Sequence, residues 1–163
     1  MTTATPTQST DTATTRTGFR INSNTITLAL CVVAFFITGY LTYTKWAGVQ
    51  TECLAGGMFN CEVVLNSAWS SILGIPTSLY GFAAHVIIAG IILLSMRNVE
   101  FFVNNKALLL FGFTLFFAIY HSYLIYVSFF ILRALCPWCL AAATIMYIHL
   151  IMSGFRLRDA LRS

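Results

Sequence analysis

Four stretches of this chain, residues 25–44, 76–96, 107–132 and 136–155, carry no Asp, Glu, Lys or Arg. Each reaches the roughly 20 residues that a helix rising about 1.5 Å per residue needs to cross a bilayer. The whole chain is 58% hydrophobic and 9% charged over 163 residues, against about 25% charged in a soluble domain, and its mean hydropathy is +0.82. Such a composition excludes an ordinary soluble enzyme and calls for lipid. The expected architecture is an all-α membrane protein, a four-transmembrane-helix bundle forming one domain over residues 25–155.

The basic residues orient that bundle. Arg16 and Arg20 precede the first run, Arg97 and Lys106 flank the link between the second and third, and Arg156, Arg158 and Arg162 follow the fourth. With four spans these seven of the nine basic residues share one side, leaving Lys45 and Arg133 on the other. The positive-inside rule makes the first side cytoplasmic, in an inner or plasma membrane, with both termini there. This asymmetry accounts for the formal charge of +4 without a nucleic-acid partner. Residues 1–24, rich in Thr and Ser, are expected to be a disordered cytoplasmic tail, and residues 156–163 a short basic one. The first run exceeds a usual signal-peptide core and no small-residue cleavage site follows, so it reads as an anchor.

Four of the five cysteines then fall on or beyond the extracytoplasmic face: Cys53 and Cys61 in the loop between the first two runs, Cys136 and Cys139 where the fourth begins. Cys136-Pro137-Trp138-Cys139 is a C-x-x-C at a helix start, where Pro137 suits the first helical position and unpaired N–H groups stabilise a thiolate. Read alone, the motif fits a redox pair, two structural cysteines or half a zinc knuckle. In the loop, Gly56-Gly57 marks a turn, after which Cys61, Leu65, Trp69 and Ile72 recur at helical spacing. They predict a short amphipathic interfacial helix with Leu73 also on its apolar face and Gly74 and Pro76 as stops. That spacing turns Cys61 toward the bundle and leaves Cys53 on the more exposed segment. Cys31, about 9 Å into the first span, reads as a packing residue. His85, His121 and His149 lie within spans and are read first as groups satisfied by neighbouring helices.

Taken together, Cys53-x7-Cys61, the run Cys61-Glu62-Val63-Val64-Leu65-Asn66-Ser67-Ala68-Trp69, then Leu73-Gly74-Ile75-Pro76 and Cys136-Pro137-Trp138-Cys139 resemble the vitamin K epoxide reductase family, in particular its stand-alone bacterial or archaeal members. The resemblance implies a membrane enzyme that oxidises a separate thioredoxin-like protein, passes two electrons to a quinone of the ubiquinone, menaquinone or vitamin K kind, and supports disulfide bond formation. By that similarity Cys53 exchanges with the partner, Cys61 carries electrons inward by bridging to Cys136, and Cys139 faces the quinone. Ser67 matches a family Ser/Thr six residues after the second loop cysteine and supports the site by hydrogen bonding. Thr77 and Ala143 stand where vertebrate members have Asn and Tyr, which favours a respiratory quinone over epoxide reduction. With eight residues after Phe155, a fused thioredoxin domain is not expected.

Thr77, Tyr80 and Trp138 are expected to line the quinone pocket beside Cys139, and Arg133 is a candidate for lowering a thiol pKa. No metal is required by this chemistry. Competing readings are a zinc site built from the four thiolates, a disulfide-stapled four-span assembly protein without turnover, and the other class of four-helix quinone-linked thiol oxidases, in which the cysteine pairs come in a different order.

Overall fold

The computed structural model describes residues 23–51, 53 and 57–162. All but the end of the tail expected over residues 1–24 therefore lies outside the described residues, as does Gly56. Four long helices make up the body: α1 Ser23–Ala47, α3 Thr77–Met96, α4 Glu100–Tyr126 and α5 Pro137–Ala160, with a short α2, Cys61–Leu65, in the first loop. All four are long and apolar enough to cross a membrane. They run past the uncharged windows because helix formation does not stop where apolarity does: α4 starts at Glu100, and α5 continues through Arg156 and Arg158.

The helices pack as a ring in which α1 touches α3, α3 touches α4, α4 touches α5 and α5 returns to α1. Cys31, Ala84, Ile88, Ile92, Leu110 and Met146 fill its centre, so Cys31 is the core residue its position suggested. Lipid tails are as apolar as these side chains, so close packing and interhelical hydrogen bonds hold the ring. Thr42 Oγ1 donates to Ser78 Oγ at 3.0 Å between α1 and α3, Thr114 and Ser153 hydroxyls pair at 2.8 Å between α4 and α5, and Arg156 reaches Ser23 and Thr27 at the end away from the loop cysteines.

The loop helix is present but shorter than its spacing predicted. It ends at Leu65 because Asn66 and Ser67 turn their side chains back on the last turn: Asn66 Nδ2 donates to Glu62 Oε2 at 2.7 Å and Ser67 Oγ to the Val64 carbonyl at 2.8 Å. A 3-10 turn, Ala68–Ser70, follows, and then a hairpin of β1, Ser71–Ile72, with β2, Ile75–Pro76. Leu73, expected on the apolar helix face, sits instead at the hairpin tip, 94% exposed. Leu73 and Gly74 have φ of +53° and +79°, the left-handed pair that a two-residue hairpin requires. Gly74 is thus a turn residue, and its Pro76 neighbour caps α3.

At the other side of the site, α4 passes into a π-helical segment, Val127–Leu132, closed by Arg133 in the left-handed region at φ +50°. Lys45, at the end of α1, donates to the Leu65 carbonyl and to Ser70 Oγ. One ammonium therefore ties the first span to the loop that carries Cys61. Replacing it by methionine removes two charge-assisted bonds and leaves the carbonyl unpaired, a loss of about 1–3 kcal/mol. Lys45→Met is expected to lower the thermal midpoint in detergent and to open residues 48–76 to proteolysis; unchanged protection would remove Lys45 from this role.

Candidate active site

The site is assembled by two pieces of chain that meet side by side. Met58 to Asn60, just before α2, runs parallel to the segment entering α5: the Leu135 N–H donates to the Met58 carbonyl at 2.9 Å, and the Asn60 N–H donates to the Leu135 carbonyl at 3.0 Å. Each strand then turns into a helix one residue later. Asn60 caps α2 through its side chain, which accepts from the Val63 N–H at 3.1 Å, and Cys136 caps α5. Cys61 and Cys136, the residues following this paired step, come into one buried cluster with Leu41 and Leu65, and Cys53 and Cys139 pack against it.

Cys53 and Cys61 are joined in a disulfide with a Cα–Cα distance of 6.0 Å, while Cys136 and Cys139 are thiols. Cys61 and Cys136 are 1% and 2% exposed, and Cys53 is half-buried. The inward Cys61 and more accessible Cys53 match the expectation from spacing. Cys136 Sγ accepts the Cys139 N–H at 3.3 Å. Hydrogen bonding from the Cys139 thiol, opposed by burial but helped by N–H groups of the helix start, holds the Cys136 thiol below its ordinary value. Arg133, proposed for that role from sequence, is exposed and is not among the groups that act on the Cys136 thiol. Its left-handed backbone turns the chain between the π-helical segment and Cys136.

Beside the inner thiols a cavity opens between α1, α3, α4, α5 and the loop. It holds about 810 Å³ of space between atoms, counting its open mouth. Cys136 and Cys139 border it, as do Ser67 and Thr77. Ala143, one turn beyond Cys139, and Gly81, one turn beyond Thr77, lie on its walls. Both positions singled out as differing from vertebrate members therefore face this space.

Trp138 and Tyr80, expected to line the pocket, do not border it. Trp138 is one position from Cys139, about 100° round the helix, and its ring lies 5.8 Å from that of Tyr40 on α1. The Tyr80 hydroxyl donates to the Ile72 carbonyl of the hairpin at 3.4 Å. In their place stand Ser78, Ser128, Trp69 and His121. Trp69, which the sequence places on the apolar face of the loop helix, and Ser78 both border the cavity. His121 was read as structural; its Nδ1 is paired with the Phe117 carbonyl at 2.8 Å, yet its ring also borders the cavity.

His149 meets in part the expectation that neighbouring helices satisfy it, through the Thr27 backbone and Cys31 Sγ of α1, the latter 4.0 Å from His149 Nε2, whereas His85 pairs with its own helix. His85 Nδ1 is paired with the Gly81 carbonyl at 2.7 Å, but His85 Nε2 and His149 Nδ1 have no hydrogen-bond partner among the described residues.

Comparison with known proteins bears on what this arrangement is. Thiol-disulfide oxidoreductase LTO1 of Arabidopsis thaliana is 31% identical over 114 residues, which cover 68% of this chain and 30% of that protein, so the chain spans less than a third of that relative's length. The model of the vitamin K epoxide reductase family matches residues 25–153, from the third residue of α1 to near the end of α5 and through all four clustered cysteines. On that match, and with the four apolar helices the family's membrane fold requires, the chain belongs to the vitamin K epoxide reductase family.

Proposed function

We propose that this protein is a membrane thiol oxidoreductase that takes two electrons from a separate thioredoxin-like protein at Cys53 and delivers them to a membrane quinone at Cys139, on the extracytoplasmic side of an inner or plasma membrane. The observation that carries this reading is the single buried cluster in which one cysteine of each pair lies innermost, with the cavity on the far side of the second pair.

The chemistry proceeds by exchange. A thiolate of the partner attacks Cys53 Sγ in the Cys53–Cys61 bond, and Cys61 leaves as a thiolate. The partner's second thiol releases Cys53 and completes the partner's disulfide. Cys61 then attacks Cys136 of an oxidised Cys136–Cys139 bond, forming the Cys61–Cys136 bridge and expelling Cys139. Attack by Cys53 on Cys61 restores the outer disulfide and leaves Cys136 and Cys139 reduced, the arrangement seen here. Helix-terminal N–H groups make Cys136 a good leaving sulfur in that last exchange. Burial of Cys61 and Cys136 keeps the bulky thiols of a protein partner from bypassing Cys53.

A quinone ring with two carbonyl oxygens and an apolar tail suits the cavity, whose walls combine leucine, valine and alanine side chains with the hydroxyls of Ser67, Thr77, Ser78 and Ser128. When bound, it supplies a two-electron acceptor. Around it, this chain's residues place the Cys139 thiol, offer hydroxyl donors to the oxygens and exclude water. Ser67 is spent in part on the Val64 carbonyl, so its role is to fix the loop wall of the pocket. Thr77 Oγ1 donates to the Ser70 carbonyl at 3.2 Å and braces the opposite wall.

Quinone reduction by the purified protein in detergent, with a reduced thioredoxin-like donor, tests the proposal. Cys139→Ala is expected to abolish it, while Cys53→Ala blocks turnover with the protein donor and spares turnover with a small dithiol. Partner-driven turnover that survives Cys53→Ala would overturn the relay order. A bulky residue in the cavity separates the two half-reactions: Ala143→Trp is expected to raise the quinone KM at least tenfold while reduction of the Cys53–Cys61 bond by dithiol proceeds at the parent rate. Equal loss in both half-reactions would place the acceptor elsewhere.

A further inference from the structure

The histidines left over from the thiol chemistry form a line down the bundle. His121, on α4, borders the quinone cavity, and so does Gly81 on α3. The Gly81 carbonyl pairs with His85 Nδ1 one turn further on, at 2.7 Å, and His121 is near enough to act electrostatically on His85. The rings of His85 and His149, from α3 and α5, have centroids 5.8 Å apart, a gap that a rotation or one water spans. Both are fully buried, at 1% and 2% exposure, and each has a ring nitrogen with no partner among the described residues. His149 in turn borders a second, smaller cavity together with Thr27, Thr114, Ser153 and Arg156. That cavity lies at the end of the bundle away from the cysteines, where Arg156 is held by Ser23 and Thr27 and Lys106 by Asn24.

Other groups face this line, among them the Thr27 backbone of α1, which hydrogen-bonds His149. Cys31 of α1 approaches His149 Nε2 at 4.0 Å, and Arg156 and Lys106 stand at the far mouth. No three of the His, Cys, Asp and Glu side chains among the described residues are arranged around a common metal position. Imidazoles in series, each able to accept a proton on one nitrogen and release it from the other, suit proton transfer through an apolar span.

Resting on the quinone reading above, we propose that His121, His85 and His149 conduct the protons of quinone reduction from the end of the bundle opposite the cysteines. Oxidation of the Cys136 and Cys139 thiols to a disulfide breaks two S–H bonds, forms one S–S bond, and releases two electrons and two protons at the cysteine end. The two electrons reduce the quinone, and two protons taken up at the opposite end and passed through His149, His85 and His121 complete the quinol. Electrons and protons balance, and each turnover leaves two protons fewer in one compartment and two more in the other.

The test uses the full chain in liposomes with a pH-sensitive dye trapped inside, a short-tailed quinone in the membrane, and a membrane-impermeant dithiol added outside, so that only molecules with their cysteines outward turn over. The expected result is the loss of two protons from the interior per quinone reduced, a signal that a protonophore collapses. His149→Gln and His121→Gln are expected to slow interior alkalinisation at least tenfold, with folding of each variant checked by circular dichroism and thermal midpoint. Quinone reduction without interior alkalinisation overturns the proton line and leaves the oxidoreductase standing, as does full proton uptake by both folded variants. An absence of quinone reduction by the parent protein overturns the oxidoreductase reading and this inference with it.

Discussion

Two backbone hydrogen bonds at Leu135 decide where everything reactive in this molecule lies. Met58 and Asn60 belong to the first loop, Leu135 to the entry of the last helix, and more than seventy residues of chain separate them. Pairing them parallel puts Cys61 and Cys136 each one step beyond the paired strip, at the start of its own helix. Both cysteines stand at helix starts: Cys136 is itself the cap of α5 and its sulfur accepts the Cys139 N–H, while Cys61 follows Asn60, the cap of α2. The hairpin, the 3-10 turn and the Lys45 tether serve to hold the loop side of this junction against the bundle.

The junction also divides labour between the sulfurs. Cys53 remains on the accessible stretch while Cys61 and Cys136 are closed off. Thiol exchange proceeds in line along a chain of sulfurs, so access at one end and enclosure in the middle suit directional transfer. The lowered Cys136 thiol adds a chemical preference to the steric one, since a sulfur that leaves readily hands the bridge back to the outer pair.

Much of this was legible in the residues. Four runs of bilayer length without Asp, Glu, Lys or Arg correspond to four helices, displaced most where α4 begins at Glu100 and α5 ends at Ala160, because apolarity and hydrogen-bond satisfaction in lipid leave the backbone no other choice. Cys53, Cys61, Cys136 and Cys139 could be placed together because two of the four apolar helices separate the first loop from the start of the last. The stop of the loop helix at Leu65 was harder to see: the periodicity of Cys61, Leu65, Trp69 and Ile72 is helical, and the side chains of Asn66 and Ser67 override it through local bonds that hydrophobic spacing does not register. Of the residues expected around a quinone, Cys139 and Thr77 border the cavity and Trp138 and Tyr80 do not, since a position on a helix does not fix which side of the helix faces a space enclosed by its neighbours. Left-handed Arg133, after the π-helical segment, gives no sequence signal of its kind.

His85 and His149 carry the buried ring nitrogens that this interior leaves without a partner among the described residues. A ring nitrogen buried without a partner costs about 1–3 kcal/mol, and two such atoms sit within a bundle whose other interior hydroxyls are almost all paired to the preceding turn or across helices. Thr38, Thr42 and Thr114 show how readily this interior satisfies a hydroxyl by back-bonding to its own helix. His85 Nδ1 and His121 Nδ1 do the same with Gly81 and Phe117, which fixes the rings and leaves the second nitrogen of each directed away from its own backbone. A packing role would be served by leucine without that cost. Retaining imidazole at three levels between the cavity beside Cys139 and the pocket beside Arg156 makes sense where protons must cross apolar space to meet electrons arriving from the other end.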